Sequence, residues 1–246
     1  MKTWERINHP IGPVTRGLRR ASQTALGTYA AYLLHGVRHP ALLRPGVTAA
    51  ERAGHLAGDD LVPDPSWRTD FAIDIDAPPE RVWPWIVQIG YGRAGWYTWF
   101  PLDNNGEPSA DDIVDELQAL EVDDVIPDGP RAPEGYGVWF VRLLDRSRAM
   151  VLESRRNPIS GREMAPREQA THSFIHISWA FVLVPTAPGR CRLRVRVRAQ
   201  LHGRAWIVPV ARGARFLFGL GDNVMENTML AGIRDRAERR NRTAPS

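Results

Sequence analysis

Hydrophobic and polar positions alternate along Phe71–Asp76. Phe71, Ile73 and Ile75 fall on one side, and Asp70, Asp74 and Asp76 on the other. That period of two predicts a strand with one buried and one wet face. Ala77-Pro78-Pro79-Glu80 ends the strand and opens a helix, because proline fits the first helical turn and an acid there suits the helix dipole. The helix is expected over Pro79–Ile89, with Val82, Trp83, Ile86 and Ile89 on roughly one side and Gly90 as its C-cap. Trp96, Tyr97, Trp99 and Phe100 follow. Four large rings in five residues are too much apolar surface to leave in water, so they predict the wall or lid of a pocket.

Alternation returns after a Pro-rich, Gly-rich stretch at 101–133, where Ser109 is expected to cap a short helix reaching Leu120. Strands are expected over Gly137–Leu144, Arg148–Ser154, Thr171–Pro185 and Arg192–Ala199. In the third of these, Ile175, Ile177, Trp179, Phe181 and Leu183 share a face. In the fourth, Arg192, Arg194, Arg196 and Arg198 alternate with Leu193, Val195, Val197 and Ala199, which reads as one solvated cationic face and one dry face. Pro188-Gly189 marks the turn between those two strands, and links this short imply antiparallel pairing. A loop is expected over 155–170. From Ala205 to about Arg239 apolar residues recur at helical spacing, with Pro209, Gly213, Gly219 and Gly221 breaking the run before a last long helix. Near the start, Thr48-Ala-Ala-Glu51 has the form of a capping box.

Charge divides the chain. The net charge is +4, yet residues 1–46 carry seven Lys or Arg against Glu5 alone, so the remainder is net −2. A nucleic-acid-binding domain carries its basic patch on the folded body, so nucleic acid is not an expected partner. The basic segment at 1–46 reads as a helical arm closed by Pro40, Pro45 and Gly46. Its uncharged stretch Ala21–Val37 is too short and too polar to span a bilayer. Arg19-Arg20 lacks the apolar run and cleavage site of an export signal. Two readings stay open for the arm: a helix packed on the outside of the domain, or an amphipathic contact with a membrane surface through Leu18, Leu26, Tyr29 and Leu33. The expected location is cytoplasmic or membrane-peripheral. Cys191 is the only cysteine, so neither an internal disulfide nor a cysteine metal cluster can form, and a small sheet residue is its expected role.

The order of elements is strand, helix, aromatic loop, antiparallel strands and long terminal helix. With Ile73-Asp-Ile-Asp-Ala-Pro-Pro-Glu-Arg-Val-Trp83, Gly95-Trp96-Tyr97, Ser178-Trp179-Ala-Phe181 and Met229-Leu-Ala-Gly-Ile233, it resembles the START-like or SRPBCC superfamily of polyketide cyclases and lipid-transport proteins. The resemblance covers about residues 48–240. It implies an α+β helix-grip fold, in which a curved antiparallel sheet grips the terminal helix around an internal cavity. The expected organisation is the arm at 1–46, a ligand-binding domain at 47–240 and a disordered tail at 241–246. A dry void costs about 24 cal/mol per Å³, so a ~300 Å³ cavity would cost ~7 kcal/mol, comparable with the stability of a whole domain. Such a cavity must hold water or a ligand, or collapse.

The family likeness implies a hydrophobic ligand such as a lipid or polyketide and requires no cofactor. Inward alternation and the rings after the helix nominate Trp85, Trp96, Tyr97, Trp99, Trp139, Ile177, Trp179, Phe181, Met225 and Met229 as its lining. A cyclase-like or dehydratase-like enzyme is the alternative, with Tyr97 or a cavity carboxylate as proton donor. Other motifs carry less. Gly90-Tyr-Gly92-Arg-Ala-Gly95 has dinucleotide-site spacing but follows a helix, so its glycines are expected to permit a tight turn. His172 and His176 are expected as a solvated pair without a third metal ligand. Asp111-Asp112, Asp115-Glu116 and Asp123-Asp124 are expected as surface charge, and Arg192–Arg198 as a solvated face, with phosphate or anionic lipid contact as the other option for the arginines.

Overall fold

A computed structural model describes residues 46–98, 104, 107–158, 160–203 and 223–239. The basic arm up to residue 45, Trp99 and the tail at 241–246 lie outside the described residues. The described residues begin with helix α1 (Ala49–Ala53), a 3-10 turn at Asp59–Leu61, strand β1 (Trp67–Ile75) and helix α2 (Pro79–Val87). Strands β2 (Val125–Pro127), β3 (Val138–Asp145) and β4 (Ala149–Arg156) follow, then helix α3 (Pro166–Gln169) and the long strands β5 (Phe174–Ala187) and β6 (Arg190–His202). A helix at 223–239, α4, completes it. All six strands form one antiparallel sheet in the order β1-β6-β5-β4-β3-β2. This is the α+β helix-grip fold.

Register gives each face its chemistry. Phe71 pairs with Val195, Val195 with Phe181 and Phe181 with Met150. One residue pair along, Trp179 sits between Val197 and Leu152, and Leu152 faces Val141. These positions make a dry inner face. Met229, Leu230, Ile233 and Ala237 of α4 pack into the same core, as do Val82, Trp83, Trp85 and Ile86 of α2. Burying side chains of this size removes about 1.5–3 kcal/mol each from the cost of exposure, which is why the amphipathic helices dock here. α4 is also tied laterally: Glu238 accepts the Asp76 backbone N–H at 2.9 Å, and Arg236 donates to the Ala110 carbonyl at 2.8 Å.

Four local expectations fail for physical reasons. The arginine row is not solvated. Arg196 is 1% exposed and ion-paired to Asp59 and Asp70, and Arg198 donates to the Val62 and Pro63 carbonyls. Segment 46–63 lies over this outer face and supplies all of those acceptors but Asp70, which is on β1, with Leu56 packed on Val151 and Ala180. His172 precedes β5 and is exposed, whereas His176 is buried against Glu153 at 2.6 Å, so the two do not form a solvated pair. The stretch from Ser109 to Leu120 is not a helix. Ser109 instead accepts from the Tyr97 N–H at 3.0 Å, and only the 3-10 turn Asp115–Leu117 forms. The expected loop at 155–170 contains the short helix α3, and strand β2 was not expected at all. The capping box did form, with Thr48 and Glu51 satisfying each other's backbone N–H.

Candidate functional site

The inner face carries two groups of rings. The first is a row of Trp139 on β3, Trp179 and Phe181 on β5, and Trp96 from the loop after α2. Trp179 stacks on Trp96 with centroids 5.5 Å apart and planes 23° apart, and meets Trp139 at 5.2 Å and Phe181 at 5.0 Å. Arg156, which shares the inner face of β4, lies 4.4 Å over the Trp139 ring and donates to Asp128 and Ser154. The second group is Trp85 of α2 and Tyr97, edge to face at 5.9 Å, with Arg236 of α4 over the Tyr97 ring at 4.8 Å. Met229 is buried and Ile177 half-buried, so the structure brings eight of the ten nominated residues into or beside one core; Met225 is half-buried on α4 and is not part of that cluster. The tenth, Trp99, is not described.

The backbone between α2 and these rings is tightly constrained. Gly90 and Gly95 exchange both backbone hydrogen bonds at 3.1 Å, closing the tight turn expected of the glycines. A side chain at Gly90 would strike Ile126, and one at Gly95 would strike Ser109. Arg93 in that turn donates to the Ile89 and Val87 carbonyls, so a cation closes the C-terminal end of α2. Burial lowers its guanidinium to about 10. Tyr97 sits at φ +56, a left-handed conformation that costs a non-glycine residue about 1 kcal/mol or more.

Polar groups in this interior are few, and several have no partner. The indole N–H groups of Trp85, Trp139 and Trp179 are buried and meet no acceptor among the described residues. A buried donor left unmade costs about 1–3 kcal/mol. Three such donors in one core mark a place where water or a bound molecule supplies acceptors. Two carboxylates join them that the sequence reading did not single out. Glu226 of α4 is 3% exposed and lies in the helical stripe of Leu230, Ile233 and Ala237, and an acid in an otherwise apolar stripe is the signal that would have found it. Glu163 accepts from the Ser154 hydroxyl at 2.8 Å and from the Arg155 N–H, and burial raises its pKa. Burial and Gln88 act in opposite directions on the Tyr97 phenol; burial is larger, and the pKa rises well above the usual value.

No family model matches the chain, and no curated protein does. Among solved structures it is similar to an aromatase/cyclase from a Streptomyces species, at 12% identity over 73% of this chain and 98% of that one, with a TM-score of 0.35. It is similar to norcoclaurine synthase from Thalictrum flavum at 12% identity over 80% and 97%, with a TM-score of 0.34. A conserved protein from Geobacillus kaustophilus matches at 12% identity over 70% and 96%, with a TM-score of 0.36. Likenesses at this level say nothing of ligand or chemistry.

Proposed function

We propose that this chain, START-like in its opening motif and helix-grip in its fold, binds a hydrophobic small molecule such as a lipid or polyketide between the inner sheet face and α4. The observation that carries the reading is the set of three buried indole donors without acceptors, set in a core of stacked rings. Apolar rings supply contact area, and a few convergent polar groups fix orientation, which is the general composition of small-molecule sites. A ligand that fills such a site stabilises the folded state in proportion to the logarithm of its concentration over its Kd.

Native mass spectrometry of the full chain purified from its host tests this, together with thermal melting across a panel of lipids and polyketides. An added mass, or a melting shift with one chemical class, is the expected result. Unliganded mass alone with no shift across the panel removes the reading.

A second reading, catalysis of the cyclase or dehydratase kind, is favoured by one feature: burial pushes both the Glu163 carboxyl and the Tyr97 phenol towards their neutral, proton-donating forms, and Glu226 is buried on α4. Glu226→Gln and Glu163→Gln should each abolish turnover of a cyclising polyketide substrate under that reading. Unchanged turnover in both variants, with Tyr97→Phe also active, sinks it.

The arm at 1–46 as a membrane contact is a separate proposal, and liposome flotation of the chain with and without those residues decides it. No helix among the described residues is long and apolar enough to cross a membrane.

A further inference from the structure

Gln88 is fully buried at the end of α2, and all four of its hydrogen-bonding positions are taken. Its Oε1 accepts from the Val114 backbone N–H at 2.9 Å and from Gln118 Nε2 at 3.1 Å. Its Nε2 donates to the Asp112 carbonyl at 3.1 Å and to the Tyr97 hydroxyl at 2.7 Å. Turning the amide over would set its oxygen against the Asp112 carbonyl and its NH2 against the Val114 N–H. Both contacts would be repulsive, so the orientation is fixed. A phenol has one proton and accepts through its lone pairs. Because Gln88 offers Tyr97 only an N–H, the Tyr97 proton cannot point at Gln88. It meets no acceptor among the described residues.

A second idle donor stands beside it. Trp85 precedes Gln88 by three residues on α2, hence on the same side of the helix. Its ring meets the Tyr97 ring edge to face at 5.9 Å, and its indole N–H is buried and unmatched. Trp139 and Trp179 repeat the pattern across the core. The neutral side chains of this interior therefore offer hydrogens and lack acceptors.

The geometry points to Gln88 as a positioning residue that makes Tyr97 an obligate hydrogen-bond donor, and to a ligand whose apolar body carries a carbonyl or ether oxygen that Tyr97 and Trp85 hold. This rests on the binding reading above and narrows it: a plain hydrocarbon leaves the donors unmatched, whereas an oxygen acceptor satisfies them. Burial, the largest influence on the phenol, raises its pKa and keeps it protonated as a donor at neutral and mildly alkaline pH.

The test uses two fluorescent probes on the full chain: a dimethylaminonaphthalene bearing an acetyl group, and the same ring bearing an ethyl group. The acetyl dye emits further to the red when its carbonyl accepts a hydrogen bond. The wild-type chain should bind the acetyl dye about tenfold more tightly than the ethyl dye, the worth of one matched hydrogen bond. Tyr97→Phe should erase that preference and shift the bound emission to the blue while ethyl-dye affinity holds. Gln88→Glu puts an oxygen where the NH2 stood; the phenol turns to it, and the same blue shift should appear. Thermal melts confirm that both variants fold. Equal binding of the two dyes to wild type, or a parallel loss of both in Tyr97→Phe, overturns the inference and leaves the binding reading in place. A red-shifted acetyl dye in folded Gln88→Glu overturns the positioning role. Failure of the wild-type chain to bind either dye or any member of the lipid and polyketide panel overturns both.

Discussion

Gly232 of α4 lies directly beneath Tyr97: a Cβ placed on Gly232 would fall well inside contact distance of the Tyr97 carbonyl oxygen. The helix can approach the aromatic loop this closely only because position 232 has no side chain. The same approach brings Arg236, one turn on, over the Tyr97 ring.

Gly232→Ala sets two effects against each other. Alanine in a helix interior gains about 1 kcal/mol over glycine by propensity. Overpacking against fixed backbone costs about 1–3 kcal/mol, and here the obstacle is a carbonyl that cannot rotate away. The clash should win, lowering stability by a net of up to ~2 kcal/mol and the urea midpoint with it. A rise in midpoint would mean that α4 does not pack on Tyr97 as described.

Arg196→Met tests the buried ion network. Arg196 donates to Asp59, Asp70 and the Gly54 carbonyl. Removing it takes one of two cationic partners from each carboxylate, Asp59 keeping Arg198 at 3.3 Å and Asp70 keeping Arg68 at 2.8 Å, so the loss should fall below the about 3–5 kcal/mol of a fully orphaned buried charge. Urea unfolding should show it.

Acid stability follows from Glu51. Its carboxyl is lowered from 4.5 to about 2, chiefly by the hydrogen bond from Arg192. Its folded pKa lies below its unfolded one, so its contribution is complete above the unfolded value and is lost as pH falls from 4.5 towards 2. Glu51→Gln should flatten the stability curve in that window and cost about 2 kcal/mol at neutral pH. An unchanged curve would show that the Arg192 pair is not formed in solution.

Cys191 should be inert in the folded protein. It is wholly buried, and burial, the largest cause, pushes its thiol up to about 12. Modification by a maleimide at neutral pH should then proceed only through unfolding, at a rate that rises with urea in step with the unfolded fraction. Prompt labelling in buffer would contradict this placement.

The inner face was legible in the sequence because alternation is local. Ile177, Trp179 and Phe181 must share a side whatever lies elsewhere, and they do. The outer face was misread for the opposite reason. Arg192, Arg194, Arg196 and Arg198 look like a wet edge until their partners are known, and those partners are Glu51, Asp59 and backbone carbonyls more than a hundred residues away. His176 was misplaced in the same way, since Glu153 comes from a neighbouring strand. Gln88 gave no signal as an orienting group, because its role depends on Val114, Gln118 and Asp112 meeting it from a loop with no periodicity.

The segment from Gly46 to Pro63 behaves as a clasp, and its buckles are guanidinium groups. A chain shortened to begin at Trp67, where the sheet itself starts, would keep every described strand yet take acceptors from four arginines in a row along its back, leaving Arg196 and Arg192 to Asp70 and Asp74 of β1. What is now a neutralised wall would gain uncompensated positive charge at Arg194 and Arg198 and be drawn to any anionic surface it met. Half of the sheet's outward electrostatic character is therefore written in eighteen residues that contribute no strand to it.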